Sequence, residues 1–234
     1  MAKKAYENFE IELGQAAYTP RVLAIYDFLV LRFFNRIVWR CPRKKLIALY
    51  HECMTDNHLD CGVGTGFFVD ECATQRDSRF ALLDLNPNSL ETAFQKLRRF
   101  KPTIFRKNIL EKLDLDCDPF DSVAMNYLLH CIPGRGIDTK AEAFDNVLPY
   151  LKDDGILFGA TILGQDIKKP ILAKLLMHHF NRQGVFSNRH DTLGDLMEEL
   201  SRRFRTFNVE VSGCVVLFWG KGVRGRNRPL EEGG

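Results

Sequence analysis

Residues 58–66, His-Leu-Asp-Cys-Gly-Val-Gly-Thr-Gly, constrain the fold of this chain more than any other stretch. A short run ending in an acid, followed by glycines at alternate positions, reads as a strand that runs into a tight turn. Glycine supplies the positive backbone angles such a turn needs and lets a ligand approach the main chain. Asp84 follows eighteen residues after Gly66, at the end of a second apolar run, Arg79 to Leu83. Strand, glycine turn, helix, strand and carboxylate together form the first βαβ unit of a nucleotide-type binding fold.

Two details narrow the ligand. Phe67 occupies the position where the dinucleotide fingerprint G-x-G-x-x-G needs its last glycine. Asp60 stands at the strand end just before the glycines, where a carboxylate would repel a pyrophosphate. The same carboxylate suits the ammonium and sulfonium charges of S-adenosylmethionine.

From residue 58 the chain alternates strand and helix, the pattern of a parallel sheet covered on both faces. Strands are expected at 57–61, Arg79 to Leu83, Thr103 to Arg106, Phe120 to Asn126 and Ile156 to Thr161. The intervening helices fall at 65–74, at Pro87 to Phe100 with Asn86 as cap, and at Lys140 to Leu151. Asp153-Asp154-Gly155 reads as the turn into strand 5. Further helices are expected at 167–182, with Pro170 in the first turn, and at Thr192 to Phe204. Phe207 to Val211 and Cys214 to Gly220 flank Ser212-Gly213 as a hairpin. Residues 1–57 read as an N-terminal helical cap, with Pro20 opening one helix and Pro42 separating it from another over Lys44 to Glu52. The domain plan is therefore the cap at 1–57, the main domain at 58–223, and a tail at 224–234 that is too polar and glycine-rich to pack. Residues 163–205 form an insertion placed to act as a substrate lid.

Five alternating units closed by a hairpin, together with Asp60-x-Gly62-x-Gly64-Thr65-Gly66, resemble the class I S-adenosylmethionine-dependent methyltransferases, small-molecule type. The resemblance covers residues 57–220. It implies a doubly wound, Rossmann-like α/β fold with a seven-stranded, mostly parallel sheet whose last strand is antiparallel beside strand 5. It also implies S-adenosylmethionine as cofactor, leaving S-adenosylhomocysteine as product. By resemblance Asp60 bears on the methionine amino group, and Gly62, Gly64 and Gly66 form the turn. Asp84 can accept from a ribose diol, and Leu85 lies against the adenine. Asn108-Ile109 takes the place of the family's acidic-apolar pair at the adenine amine. Asn126 and Tyr127 end strand 4, on the side where open parallel sheets bind ligands. The segment Leu129-His130-Cys131-Ile132-Pro133 is similar to the family's L-H-H-x-P form, which makes His130 the candidate general base. Tyr18, beside Pro20, is the candidate lid side chain over the cofactor.

The acceptor is less legible. Asn126-Tyr127-Leu128-Leu129 lacks the prolines of enzymes that methylate base amines, and no glutamate pair follows strand 4 as in protein arginine methyltransferases. Asp145-Asn146 falls on a helix before strand 5, where a solvated pair is expected rather than the metal site of the catechol type. His178, His179 and His190 lack metal-ligand spacing, so no metal is expected. Apolar and aromatic residues in the cap (Tyr26, Phe33, Phe34) and the insertion (Leu175, Phe180, Phe186) favour a hydrophobic or aromatic metabolite.

A net charge of +3 permits nucleic acid but does not argue for it, and Arg202-Arg203-x-Arg205 reads as a solvated face. Seven scattered cysteines without a C-x-x-C pair suggest reduced thiols and a cytoplasmic protein. The apolar stretch Val22 to Trp39 carries Asp27, Arg32 and Arg36, so no membrane span is expected. The glycine motif alone leaves open a protein that binds the cofactor without transferring methyl, either as a binding module or as a non-methylating catalyst.

Overall fold

The computed structural model describes residues 36–75 and 77–225. Tyr18, Tyr26, Phe33, Phe34 and the helix start at Pro20 lie outside the described residues, as does the tail from 226 onward.

Helix α1 (Arg43–Cys53) leads into β1 (Asn57–Cys61), α2 (Phe67–Cys72), β2 (Arg79–Asp84), α3 (Pro87–Leu97), β3 (Thr103–Arg106) and β4 (Phe120–Asn126). Two short helices, α4 (Ile137–Lys140) and α5 (Glu142–Val147), precede β5 (Leu151–Ile162). Then come α6 (Ile171–Arg182), α7 (Leu193–Arg203), β6 (Phe204–Ser212) and β7 (Val215–Val223). The strands form one seven-stranded sheet in the order β3-β2-β1-β4-β5-β7-β6. The first five strands pair in parallel, and β7 inserts antiparallel between β5 and β6. The order reverses between β1 and β4, so the carboxyl ends of these strands open a crevice.

Alternation along the strands builds two cores. On β2, Phe80 and Leu82 face one side while Ala81 and Leu83 face the other, all of them buried. The first side packs against α1, α2 and α3 through Leu46, Tyr50, Phe68 and Leu97; the second against α5 and α7 through Phe144, Val147, Leu196 and Leu200. Apolar residues on both faces are what a covered parallel sheet requires.

Local chemistry sets the element ends. Asn86 caps α3, its side chain accepting from the N–H groups of Asn88 and Ser89, with Pro87 at the first helical position. Thr192 caps α7 by accepting from Asp195. Several boundaries differ from expectation. Pro170 is the residue before α6 rather than part of its first turn, so the helix begins at Ile171. The helix expected at Lys140 to Leu151 starts earlier and is broken into α4, α5 and a 3₁₀ turn at Leu148–Tyr150, where Pro149 cannot donate to an α-helical bond. Asp153-Asp154-Gly155 lies inside β5; Leu151 pairs with Phe120 and Ile156 with Ser122, so these residues bulge from the ladder. Arg224, placed in the tail by composition, is held by its N–H to the Arg203 carbonyl at 2.8 Å and by its Nε to the Phe204 carbonyl at 2.7 Å.

A buried ion pair ties the insertion to the body. Lys140 Nζ donates to both Asp191 carboxylate oxygens at 2.7 and 2.8 Å and to the Ser187 carbonyl at 2.6 Å, with both side chains wholly buried. Alongside it, Asn188 donates to the Ile162 carbonyl at 2.7 Å and accepts from Asn181 at 2.9 Å. Gly164 runs so close to this segment that an added Cβ would lie 1.8 Å from the Asn188 carbonyl. Among the described residues, no helix is long and apolar enough to cross a membrane.

Candidate active site

The carboxyl ends of β1, β2 and β4 open into one cleft. Its wall includes Asp60, Gly62, Gly64, Asp84, Leu85, Asn108, Ile109, Asn126 and Tyr127. These nine are residues singled out from the sequence, and the fold brings them together. Gly66 and His130 are not among its walls, and Tyr18 lies outside the described residues.

The turn carries positive φ at Gly62, Gly64 and Gly66 (71°, 51° and 71°). The glycines do different work. A Cβ on Gly64 would meet nothing within 4 Å, so this residue leaves the floor of the cleft clear. A Cβ on Gly66 would lie 3.1 Å from the Cα of Ala93, so this glycine lets α2 start against α3.

Two carboxylates face the cleft. Asp60 is buried, and the Tyr50 hydroxyl donates to its Oδ1 at 3.4 Å. Burial pushes its carboxyl up to about 7; the Tyr50 hydrogen bond opposes that rise and the nearby Asp84 charge adds to it. Asp84 is half-buried at the end of β2, and the Asn86 N–H donates to its Oδ1 at 2.8 Å. Burial raises Asp84 to about 6, against the stabilising N–H groups of Asn86, Leu85, Gly64 and Val63. A ligand bringing positive charge and hydroxyl donors would lower both. Asn126 Oδ1 is buried with no hydrogen-bond partner among the described residues. Two acids with raised pKa values and an unpartnered acceptor fit a ligand that is cationic at one end and carries a ribose diol, such as S-adenosylmethionine.

Beyond Asp84 the wall turns apolar at Leu85 and Ile109. Asn108 Oδ1 accepts from the Leu110 N–H at 3.0 Å, which shapes the loop; one oxygen lone pair is thus committed locally. Asn146 Nδ2 donates to the Ile109 carbonyl at 2.9 Å, so this asparagine is not a solvated residue but holds the loop in place. Its neighbour Asp145 is the exposed partner of Arg203, at 2.7 and 2.8 Å.

At the end of β4, Tyr127 adopts a left-handed conformation (φ 57°), its N–H donating to the Ala160 carbonyl at 2.7 Å. A non-glycine residue held there stores backbone strain at the mouth of the cleft. His130 does not reach the wall. Its Nδ1 lies 3.4 Å from Thr161 Oγ1 and accepts from the Ile162 N–H at 3.4 Å, and its ring meets Phe186 at 4.6 Å. Burial, with a lesser push from the Lys140 charge, lowers its pKa to about 3. A neutral imidazole so hard to protonate is a weak general base. Phe186 in turn touches Trp39 and Phe180, with centroids 6.0 and 5.0 Å apart, and Tyr127 joins the group through His130 at 5.7 Å. An aromatic cluster from the segment before α1, the loop after β4 and the insertion therefore adjoins the cleft.

Several contributors leave no local mark in the chain. Tyr50, on α1, lines the cleft. Its spacing from Leu46, Leu49 and Cys53 marks only a buried helix face, but a tyrosine hydroxyl on such a face needs a partner. Lys140 and Asp191 carry no local signal, being 51 residues apart. Of the arginines read as a solvated face, Arg202 and Arg205 are exposed and ion-paired, with Glu198 and Glu199 and with Asp154, whereas Arg203 is largely buried between Glu199 and Asp145.

Comparison with known proteins adds independent findings. Residues 59–157 match the family described as "Methyltransferase domain". The chain is 37% identical over 206 residues to demethylluteothin O-methyltransferase of Streptomyces thioluteus, covering 88% of this chain and 89% of that protein. It is 36% identical over 209 residues to a physcion biosynthesis cluster O-methyltransferase of Aspergillus chevalieri, covering 88% and 94%. Among solved structures, the N-methyltransferase NodS of Bradyrhizobium japonicum WM9, in complex with S-adenosylhomocysteine, superposes with a TM-score of 0.59 at 13% identity, covering 88% of this chain and 98% of that one.

Proposed function

The chain belongs to the class I S-adenosylmethionine-dependent methyltransferases, and on that premise we propose that it methylates a hydroxyl group of a small, hydrophobic or aromatic metabolite. The observation that carries the acceptor reading is the aromatic cluster of Trp39, Phe180, Phe186 and His130, which meets the cofactor cleft at Tyr127. Flat ring faces beside a methyl donor suit a planar acceptor. The small-molecule O-methyltransferases at 36% and 37% identity support oxygen as the atom methylated.

S-adenosylmethionine supplies a methyl group on a positively charged sulfur, an activated donor for in-line displacement. The chain's part is to bind, align and exclude water. Asp60 faces the cationic end, Asp84 accepts from the ribose hydroxyls, and Leu85, Asn108 and Ile109 enclose the adenine. Gly62 and Gly64 keep the turn open, Gly66 seats α2 behind it, and Asn126 and Tyr127 lie at the methyl end. In this reading Tyr18 closes the site from the N-terminal side, and residues 163–205 form the lid over the acceptor. His130 packs behind the cleft and supports the aromatic cluster. A phenolic or enolic hydroxyl, acidic enough to ionise in part near pH 8, then needs no strong base from the protein.

Labelled S-adenosylmethionine offered with matched hydroxy- and amino-aromatics at pH 8 tests the proposal by mass spectrometry. Methyl ethers are the expected products. Label appearing only on amines would refute the acceptor reading, and bound donor with no labelled product would favour a cofactor-binding protein.

A further inference from the structure

We propose that Tyr50 is a positioning residue of the methyl-donor site, its hydroxyl fixing the Asp60 carboxylate in the orientation that meets the donor's cationic end. The proposal rests on the reading of Asp60 given above and adds to it a residue outside the glycine motif.

The geometry leaves Tyr50 little freedom. It is 1% exposed on the buried face of α1. Its ring stacks on Phe68 of α2 (5.1 Å between centroids, 16° between planes) and meets Phe158 of β5 edge-on (4.9 Å, 87°). Three separate elements therefore set where the hydroxyl lies, and it lies 3.4 Å from Asp60 Oδ1. The contact is long for a hydrogen bond without ligand, and it can shorten when the carboxylate is drawn by a bound cation.

Tyr50 can act only as a donor. Burial first, and then the Asp60 charge, hold its phenol well above the ordinary value of 10, so it keeps its proton. The other titratable groups around the pair are Cys61 and His58 on β1, Cys72 on α2 and Asp84 at the end of β2. Burial pushes Cys61 well up, Cys72 to about 11 and His58 down to about 3, so these three are neutral at pH 7. Asp84 is the charged neighbour, and it favours the protonated form of Asp60. The Tyr50 hydroxyl is thus the group that favours the ionised carboxylate the donor's ammonium needs.

The test is calorimetric titration of S-adenosylhomocysteine from pH 6 to 9 into the parent chain, Tyr50→Phe, Asp60→Asn and the double variant. Phenylalanine keeps the ring packing on Phe68 and Phe158. Tyr50→Phe is expected to weaken binding about tenfold at pH 7. It should also move the midpoint of the pH dependence upward, with the gap to the parent narrowing by pH 9. In the Asp60→Asn background it should add no further loss. Parent-like affinity and midpoint in Tyr50→Phe, or an equal loss in both backgrounds, would overturn the proposal. If Asp60→Asn alone binds as tightly as the parent, the reading of Asp60 itself fails, which is a different result. Should Tyr50→Phe not fold, 3-fluorotyrosine at position 50 supplies a stronger donor. The midpoint must then move downward, and an unmoved midpoint refutes the role.

Discussion

Replacing Asp60 by Asn should make the ligand-free protein more stable and the ligand-bound protein weaker. The folded-state pKa of about 7 lies above the ordinary 3.8, because burial penalises the ionised form. The folded chain therefore holds a proton between those values that the unfolded chain has released. Stability from this group is present below pH 3.8 and is lost as pH rises through about 7. At pH 8 the carboxylate is ionised in both states, and about three pH units of penalty at about 1.4 kcal/mol each give an upper bound of roughly 4 kcal/mol. Asparagine removes the charge and keeps an oxygen to accept from Tyr50. Urea unfolding at pH 8 should show Asp60→Asn more stable than the parent by about 1–4 kcal/mol, with the slope unchanged. At pH 5, between those two values, about one pH unit of the penalty remains, so the difference should fall to less than half its size at pH 8. Calorimetry with S-adenosylhomocysteine should show the opposite sign, a loss of about 1.5–3 kcal/mol as the ammonium loses its partner. A variant less stable than the parent at pH 8, or a stability gain equal at both pH values, would refute the reasoning.

Other substitutions report on the scaffold. Lys140→Met should cost about 3–5 kcal/mol in urea unfolding by leaving Asp191 buried and unpaired, and Lys140→Met with Asp191→Leu should recover most of it; equal losses in the single and double variants would contradict the pairing. Gly66→Ala should lower stability by about 1–3 kcal/mol, since alanine is strained at positive φ and its Cβ meets the Ala93 backbone; an unchanged melting temperature would show that α2 and α3 can separate. His130→Asn should lower the melting temperature while kcat falls less than about tenfold and keeps its pH profile; loss of a hundredfold or more would restore the base role.

Much of this fold was legible because it is written in local patterns. The glycine turn, strands β1 to β4, the Asn86 cap, the helix start near Thr192 and the closing hairpin each need only neighbouring residues to specify them. Nine cofactor-site candidates share one cleft because the fold sends every parallel strand end to the same edge. What escaped depends on partners far along the chain. Nothing near Asn146 announces the Ile109 carbonyl, and nothing near Arg205 announces Asp154. His130 follows the same rule: a residue just past a strand end can turn into the cleft or under it, and its contact with Phe186, 56 positions away, lies beyond any local pattern. The turn read at Asp153-Asp154-Gly155 has the right chemistry, but the strand continues through it as a bulge.

The place of β7 also governs how the chain must be assembled. The last strand in sequence is not the last in space, since it fills the slot between β5 and β6. During synthesis β5 can pair with β4, but its other edge stays open until residues 215–223 emerge from the ribosome. Leu157, Ala160 and Ile162 lie on that open strand and are apolar. A ribosome stalled short of Val215 would thus present a sticky template, the kind of edge that recruits chaperones or neighbouring chains. Productive folding is then a threading step, with the final hairpin sealing a sheet that was nearly complete without it.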